Sequence, residues 1–183
     1  MRIYFIGSTS VGKTTCARYV AQKYKLPFLS EVARTVLAEK ELNIDTLRTN
    51  LDVVDDFQRT IFYRQIEEER KHESFVSDRS FDNLAYCCQH SRISEELFNS
   101  QAMKTYIENL KKDDVILFFV RPNKNTLKND GVRETIIWDE IVAIDAMIKL
   151  LTECFGLNYI NINTGSIQER VKLVDTVLSR NFI

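Results

Sequence analysis

Unbroken apolar runs alternate along this chain with stretches in which apolar residues recur every three or four positions. Ile3-Tyr4-Phe5-Ile6 is the first run, and Cys16, Ala17, Val20, Ala21 and Tyr24 then share one face of a predicted helix. Leu26-Pro27-Phe28-Leu29 begins at a proline and closes on Ser30, the pattern of a short strand leading to a helix cap. Val53, Phe57, Ile61 and Ile66 recur among many charges and predict a long amphipathic helix, whose Glu67-Glu68-Glu69-Arg70-Lys71 end reads as a solvated surface. Phe75-Val76-Ser77 reads as a third strand. The helix after it carries Phe81, Leu84, Ala85 and Cys88 on one face, and another is expected over about Ser100 to Lys111. Val115-Ile116-Leu117-Phe118-Phe119-Val120 is continuously apolar, as a strand buried on both faces of a parallel sheet must be. Ile137, Ile141, Ile144, Ile148 and Leu151 mark a further helix with Gly156 near its end as a cap, and Asn158 to Ile162 a last strand. Ser166 and Glu169 form an S-x-x-E capping box that opens a final helix through Val171, Val174 and Leu178.

Five strands alternating with helices predict an α/β protein, a three-layer α/β/α sandwich around a five-stranded parallel sheet. The 183 residues suit a single domain, 1–183, with no repeat and no linker. The formal net charge of −1, without a Lys/Arg stripe, argues against a broad nucleic-acid-binding face. No apolar run approaches the roughly 20 residues of a membrane span. Arg2 leads straight into the first strand without a signal peptide, so a cytoplasmic protein is expected. Cys16, Cys87, Cys88 and Cys154 lack metal-ligand spacing and read as buried free thiols. His72 and His90 lie near helix ends with no nucleophile beside them.

Chemistry enters between the first strand and the first helix. Gly7-Ser8-Thr9-Ser10-Val11-Gly12-Lys13-Thr14 is a complete G-x-x-x-x-G-K-[ST] phosphate-binding loop, followed by Thr15, in the strand, loop, helix context that the motif needs. Its glycines let successive N–H groups turn inward around phosphate, and the helix N-terminus adds its positive dipole end. Lys13 is expected to reach the β and γ phosphates of ATP, and the Thr14 hydroxyl to hold Mg²⁺. Ligands of parallel sheets bind beyond the carboxyl ends of the strands, which brings this loop together with Glu31, Asp78, Arg121 and Gly165.

Other uses of the loop fit less well. Asn123-Lys124-Asn125-Thr126 lacks the Asp with which a GTPase reads guanine, and no D-x-x-G follows the third strand. The chain is short for a remodelling motor. A small-molecule kinase needs an anion-binding lid that closes over ATP and excludes water. The polar segment at about 121–135, with Lys124, Lys128 and Arg133, has the position and charge for one.

Asp78-Arg79-Ser80, followed by Asn83, Ala85, Tyr86 and Gln89, resembles the signature of thymidylate and deoxynucleoside kinases, in which the acidic residue serves Mg²⁺ and the Arg the phosphates. Ser80 stands where thymidylate kinases usually have an aromatic, which speaks against a thymidylate substrate. The succession G-S-T-S-V-G-K-T-T, S-E-V-A-R, S-D-R-S, N-D-G-V-R and G-S-I-Q-E-R spans nearly the whole chain and is most similar to the ATPase/kinase domain of the nicotinamide riboside kinase type. The resemblance implies a P-loop kinase acting on a nucleoside, a nucleoside monophosphate or a nicotinamide riboside-like acceptor. Glu31 occupies the place of the general base, Arg34, Arg79 and Tyr86 face the acceptor, and Thr14 and Asp78 hold the metal. Arg133 closes over the transferring phosphoryl group, and Gly165 and Ser166 border the adenine. A regulatory ATPase acting through a protein partner, or a polynucleotide-end kinase, remains the alternative.

Overall fold

β1 (Arg2–Ile6) lies at the centre of a five-stranded parallel sheet, flanked by β3 (Phe75–Ser77) and β4 (Val115–Val120). β2 (Phe28–Leu29) and β5 (Ile160–Ile162) form the edges, giving the order β2-β3-β1-β4-β5. The computed structural model describes residues 1–30, 32–42, 47, 49–124 and 138–180. Its eight described helices are α1 (Lys13–Tyr24), α2 (Val32–Glu39), α3 (Leu51–Arg70), α4 (Asn83–His90), α5 (Ser94–Asn99), α6 (Gln101–Leu110), α7 (Trp138–Cys154) and α8 (Ile167–Leu178).

The unbroken apolar runs are explained by burial on both faces. Ile3 and Phe5 of β1, with Ile116, Phe118 and Val120 of β4, pack under α1 and α8. Tyr4 and Ile6, with Leu117 and Phe119, point the other way, into a larger core shared by α3, α4, α6 and α7. Alternate residues thus serve opposite layers, as the period of a strand dictates. A third cluster, Val32 and Val36 of α2 with Phe57 and Ile61 of α3, is separate from both.

Local chemistry sets the helix ends. The Asn50 side chain accepts the N–H groups of Asp52 and Val53 to start α3. Gly156, with φ of 64°, ends α7, while Leu157 N–H returns to the Thr152 carbonyl and Gly156 N–H to that of Glu153. The Ser166 hydroxyl accepts the Glu169 N–H at 3.4 Å, but the Glu169 carboxylate takes the Thr164 hydroxyl, so only half of the expected box forms.

Three sequence expectations are corrected. Cys87, not Cys88, is fully buried on α4, and Cys154 is exposed. Glu69, assigned to a solvated helix end, is only 8% exposed. The six residues of α5 were not anticipated, because a helix this short shows barely more than one turn of periodicity. Among the described residues no helix is long and apolar enough to cross a membrane.

Candidate active site

The β1–α1 loop turns at two residues whose conformations explain its glycines. Gly7 has φ of 146°, and a Cβ there would lie 2.4 Å from the Val120 carbonyl oxygen. Gly12 has φ of 93° and packs against the Arg170 guanidinium. Lys13 Nζ donates to the carbonyls of Gly7 and Ser8, each at 2.7 Å, and so lies across the loop it belongs to. Val11 is buried, and the buried Ser8 hydroxyl has no partner among the described residues.

The end of β3 supplies the opposite wall. Asp78 Oδ2 accepts the Thr14 hydroxyl at 2.5 Å and the Ser30 hydroxyl at 3.2 Å, while its Oδ1 is buried with no partner among the described residues. The turn that carries Asp78 is braced from behind. The Ser77 hydroxyl donates to the Arg79 carbonyl at 2.8 Å and accepts the Arg79 N–H at 3.2 Å. Gln65 Nε2 bridges Ser77 Oγ at 3.2 Å and Glu69 Oε1 at 2.7 Å. Glu69 in turn accepts the hydroxyls of Tyr4 at 2.6 Å and Tyr106 at 2.8 Å, and Tyr106 lies 3.0 Å from the Ser80 hydroxyl. Burial pushes the Glu69 carboxyl up, and the three donors around it oppose that shift.

Asp82 was not singled out in the sequence. It is 1% exposed, accepts the Ser80 N–H at 2.7 Å, and lines the same cavity as Lys13 and Arg79. Burial pushes its carboxyl up, with Lys13 and Arg79 pulling it back. Its spacing from Asp78, in S-D-R-S-F-D, was the available signal. Tyr86 stands beside the backbone of Thr9, and burial pushes its phenol up to about 12.

These groups share one cavity of about 820 Å³. At one end it meets Thr9, Ser10, Gly12, Lys13, Thr14 and Thr15, and in the middle Asp78, Arg79 and Asp82. The far wall is apolar, from Leu37 of α2 to Val54, Phe57 and Ile61 of α3, with Gln58, Tyr86 and Gln89 as its polar groups. His90 and Glu140, 3.3 Å apart, join α4 to α7 at its side.

Of the residues named from the sequence, the structure brings the phosphate loop, Thr14, Asp78, Arg79 and Tyr86 around this space. Glu31 and Arg133, and most of the expected lid, lie outside the described residues; Arg34 belongs to α2, but its side chain is not described. Gly165 and Ser166 do not line the cavity. They form the turn between β5 and α8, and Thr164 in that turn is held by Arg170. Arg121 turns to α7 instead, where it makes a two-pronged pair with the buried Asp145 at 2.6 to 3.1 Å.

The parallel order with its phosphate loop at the end of the central strand defines a P-loop α/β fold. The chain belongs to the AAA domain family, whose profile matches residues 2–170. Among solved structures it is similar to deoxyadenosine kinase from M. mycoides with products dCMP and a flexible dCDP bound. That likeness has 14% identity and a TM-score of 0.68 over 98% of this chain and 100% of the other. NadR protein in complex with NR is similar at 18% identity and a TM-score of 0.69, over 89% of this chain and 45% of that one. Shikimate kinase from Aquifex aeolicus VF5 is similar at 17% identity and a TM-score of 0.59, over 100% and 99% of the two chains. No curated protein sequence matches the chain.

Proposed function

We propose that the protein is an ATP-dependent small-molecule kinase that transfers the γ-phosphoryl group to a nucleoside, a nucleoside monophosphate or a nicotinamide riboside-like acceptor. The observation that carries this reading is the continuity of one cavity from the phosphate loop, past Asp78, to an apolar wall. A protein that only hydrolysed ATP would need no second compartment in line with the phosphates. The apolar wall suits a ring with an uncharged face, and Gln58, Tyr86 and Gln89 supply polar contacts at its edge.

The donor set fits a hard divalent cation. Thr14 and Ser30 offer hydroxyl oxygens and Asp78 a carboxylate whose Oδ1 is buried and unpartnered among the described residues, the oxygen-only chemistry that Mg²⁺ takes. The metal would supply charge neutralisation at the phosphates. Backbone N–H groups of Gly7 to Thr15 bind the phosphates, and Lys13 leaves its two carbonyls to reach them. Arg34, Arg79 and Tyr86 hold the acceptor, and Glu31 orients or deprotonates its hydroxyl. Arg133 closes over the transferring group, and Gly165 with Ser166 borders the adenine.

The test is ADP production from Mg²⁺-ATP over a panel of nucleosides, their monophosphates and nicotinamide riboside, beside Lys13→Ala. Stimulation by one acceptor, lost in the variant, is expected. A flat panel over a Lys13-dependent basal rate would overturn the kinase reading in favour of a regulatory ATPase.

A further inference from the structure

We propose that Arg170 is a positioning residue that sets the phosphate cradle from beneath and ties it to the turn after β5. Nucleotide affinity then depends on a side chain of the last helix. Arg170 is 3% exposed in the first turns of α8. Its Nη1 donates to the Val11 carbonyl at 2.5 Å and its Nε to the Thr164 carbonyl at 2.7 Å. One planar guanidinium therefore joins the phosphate loop near the start of the chain to the β5–α8 turn near its end. A lysine, with a single nitrogen on a flexible stem, does not reproduce that fork.

The peptide between Val11 and Gly12 explains what the contact does. Its C=O and N–H lie in one plane and point in opposite directions. Drawing the Val11 carbonyl toward α8 turns the Gly12 N–H toward the cavity that Gly12 lines. The guanidinium is close enough that a Cβ on Gly12 would lie 2.9 Å from Nη1. Glycine at this position thus serves both the turn and the arginine.

The charge supports the same role. Burying a cation is costly, and an apolar side chain of similar size would fill the space between α8 and α1 without that cost. Both backbone acceptors are neutral carbonyls, the Cys16 thiol beside the guanidinium is pushed up by burial, and Nη2 is buried with no hydrogen-bond partner among the described residues. The positive charge is thus not cancelled by the groups it touches. It lies under a loop built for anions, where low polarizability lengthens its reach.

This inference rests on the nucleotide-binding half of the proposed function, so its test measures binding and not turnover. Affinity for a fluorescent ADP analogue with Mg²⁺ is measured for the intact chain, Arg170→Gln, Arg170→Lys and Val174→Ala, together with their melting temperatures. Val174 is 1% exposed on the same helix and its side chain has no group that could hydrogen-bond the loop, so it reports general loosening of α8. Arg170→Gln is expected to bind about tenfold more weakly, Arg170→Lys a few-fold more weakly, and Val174→Ala to melt earlier with affinity unchanged. The idea is overturned if both arginine variants bind within twofold of the original protein, or if Val174→Ala loses affinity equally. Should Arg170→Gln fail to fold, Arg170→Lys decides alone. An original protein that binds nucleotide yet phosphorylates no acceptor leaves this inference standing and removes only the kinase reading.

Discussion

A Cβ at Gly7 would meet the Val120 carbonyl oxygen at 2.4 Å, whereas one at Gly12 would meet the end of the Arg170 side chain at 2.9 Å. Backbone at the end of β4, paired with β5, cannot move aside, but a guanidinium can shift. Both substitutions also force alanine into positive φ, at a cost on the order of 1–3 kcal/mol. Gly7→Ala is therefore expected to lower the melting temperature more than Gly12→Ala, while both weaken Mg²⁺-ADP binding. Equal stability losses in urea titrations would show that the obstruction by Val120 is relieved at no cost. The loop was legible from the sequence because a backbone conformation of this kind is set locally, by glycine spacing between a strand and a helix. Arg170 closes the run G-S-I-Q-E-R, and no local pattern reveals that its partner is Val11. Asp82 had a local signal in its spacing from Asp78, but its burial depends on tertiary packing that the spacing does not show.

Along α3, the charged run Glu67 to Lys71 gave a misleading picture of the helix end. Gln65, Ile66 and Glu69 fall on one face at helical spacing, and that face is the one laid against the sheet. Counting charges found a polar segment, whereas counting in steps of three and four would have separated Glu69 from its exposed neighbours. Its burial has a measurable consequence. Burial holds the Glu69 carboxyl above the ordinary glutamate value of 4.5, so the stability it contributes is complete below about pH 4.5 and declines as pH rises through the folded value. Glu69→Gln removes that decline. The difference in unfolding free energy between variant and original protein is therefore expected to shift in favour of the variant from pH 4.5 to pH 7, as read from urea titrations at the two pH values. Parallel pH profiles would mean that Glu69 keeps an ordinary carboxylate pKa in the fold. The same substitution disturbs the links through Gln65 and Tyr106 that brace the Asp78 turn, so nucleotide binding is the second property to measure.

For the whole molecule, the alternation of runs and periodic segments was enough to give layers, strand count and parallel sense, because the three inner strands, β3, β1 and β4, are buried on both faces. It did not give the strand order, which depends on which crossover passes over which face. The phosphate loop sits where β1 has partners on both sides, so ligand binding acts on the most thoroughly paired part of the fold. Mg²⁺-ADP at a hundred times its dissociation constant is expected to stabilise the protein by about 2.7 kcal/mol. That corresponds to roughly 5–10 °C in a thermal melt of a domain this size. Lys13→Ala should lose most of this shift, and an undiminished shift in the variant would place the ligand elsewhere.

The small cluster of Val32, Val36, Phe57 and Ile61 closes on itself beside the sheet and does not extend either of its two main cores. That makes the apolar wall of the cavity an interchangeable part. Residues of α2 and the first half of α3 can be exchanged for others that shape a different pocket, while strand pairing and the phosphate cradle stay as they are. Selectivity in such an architecture is portable: descendants of one ancestral chain can diverge in what they recognise and inherit the machinery for handling phosphate unchanged.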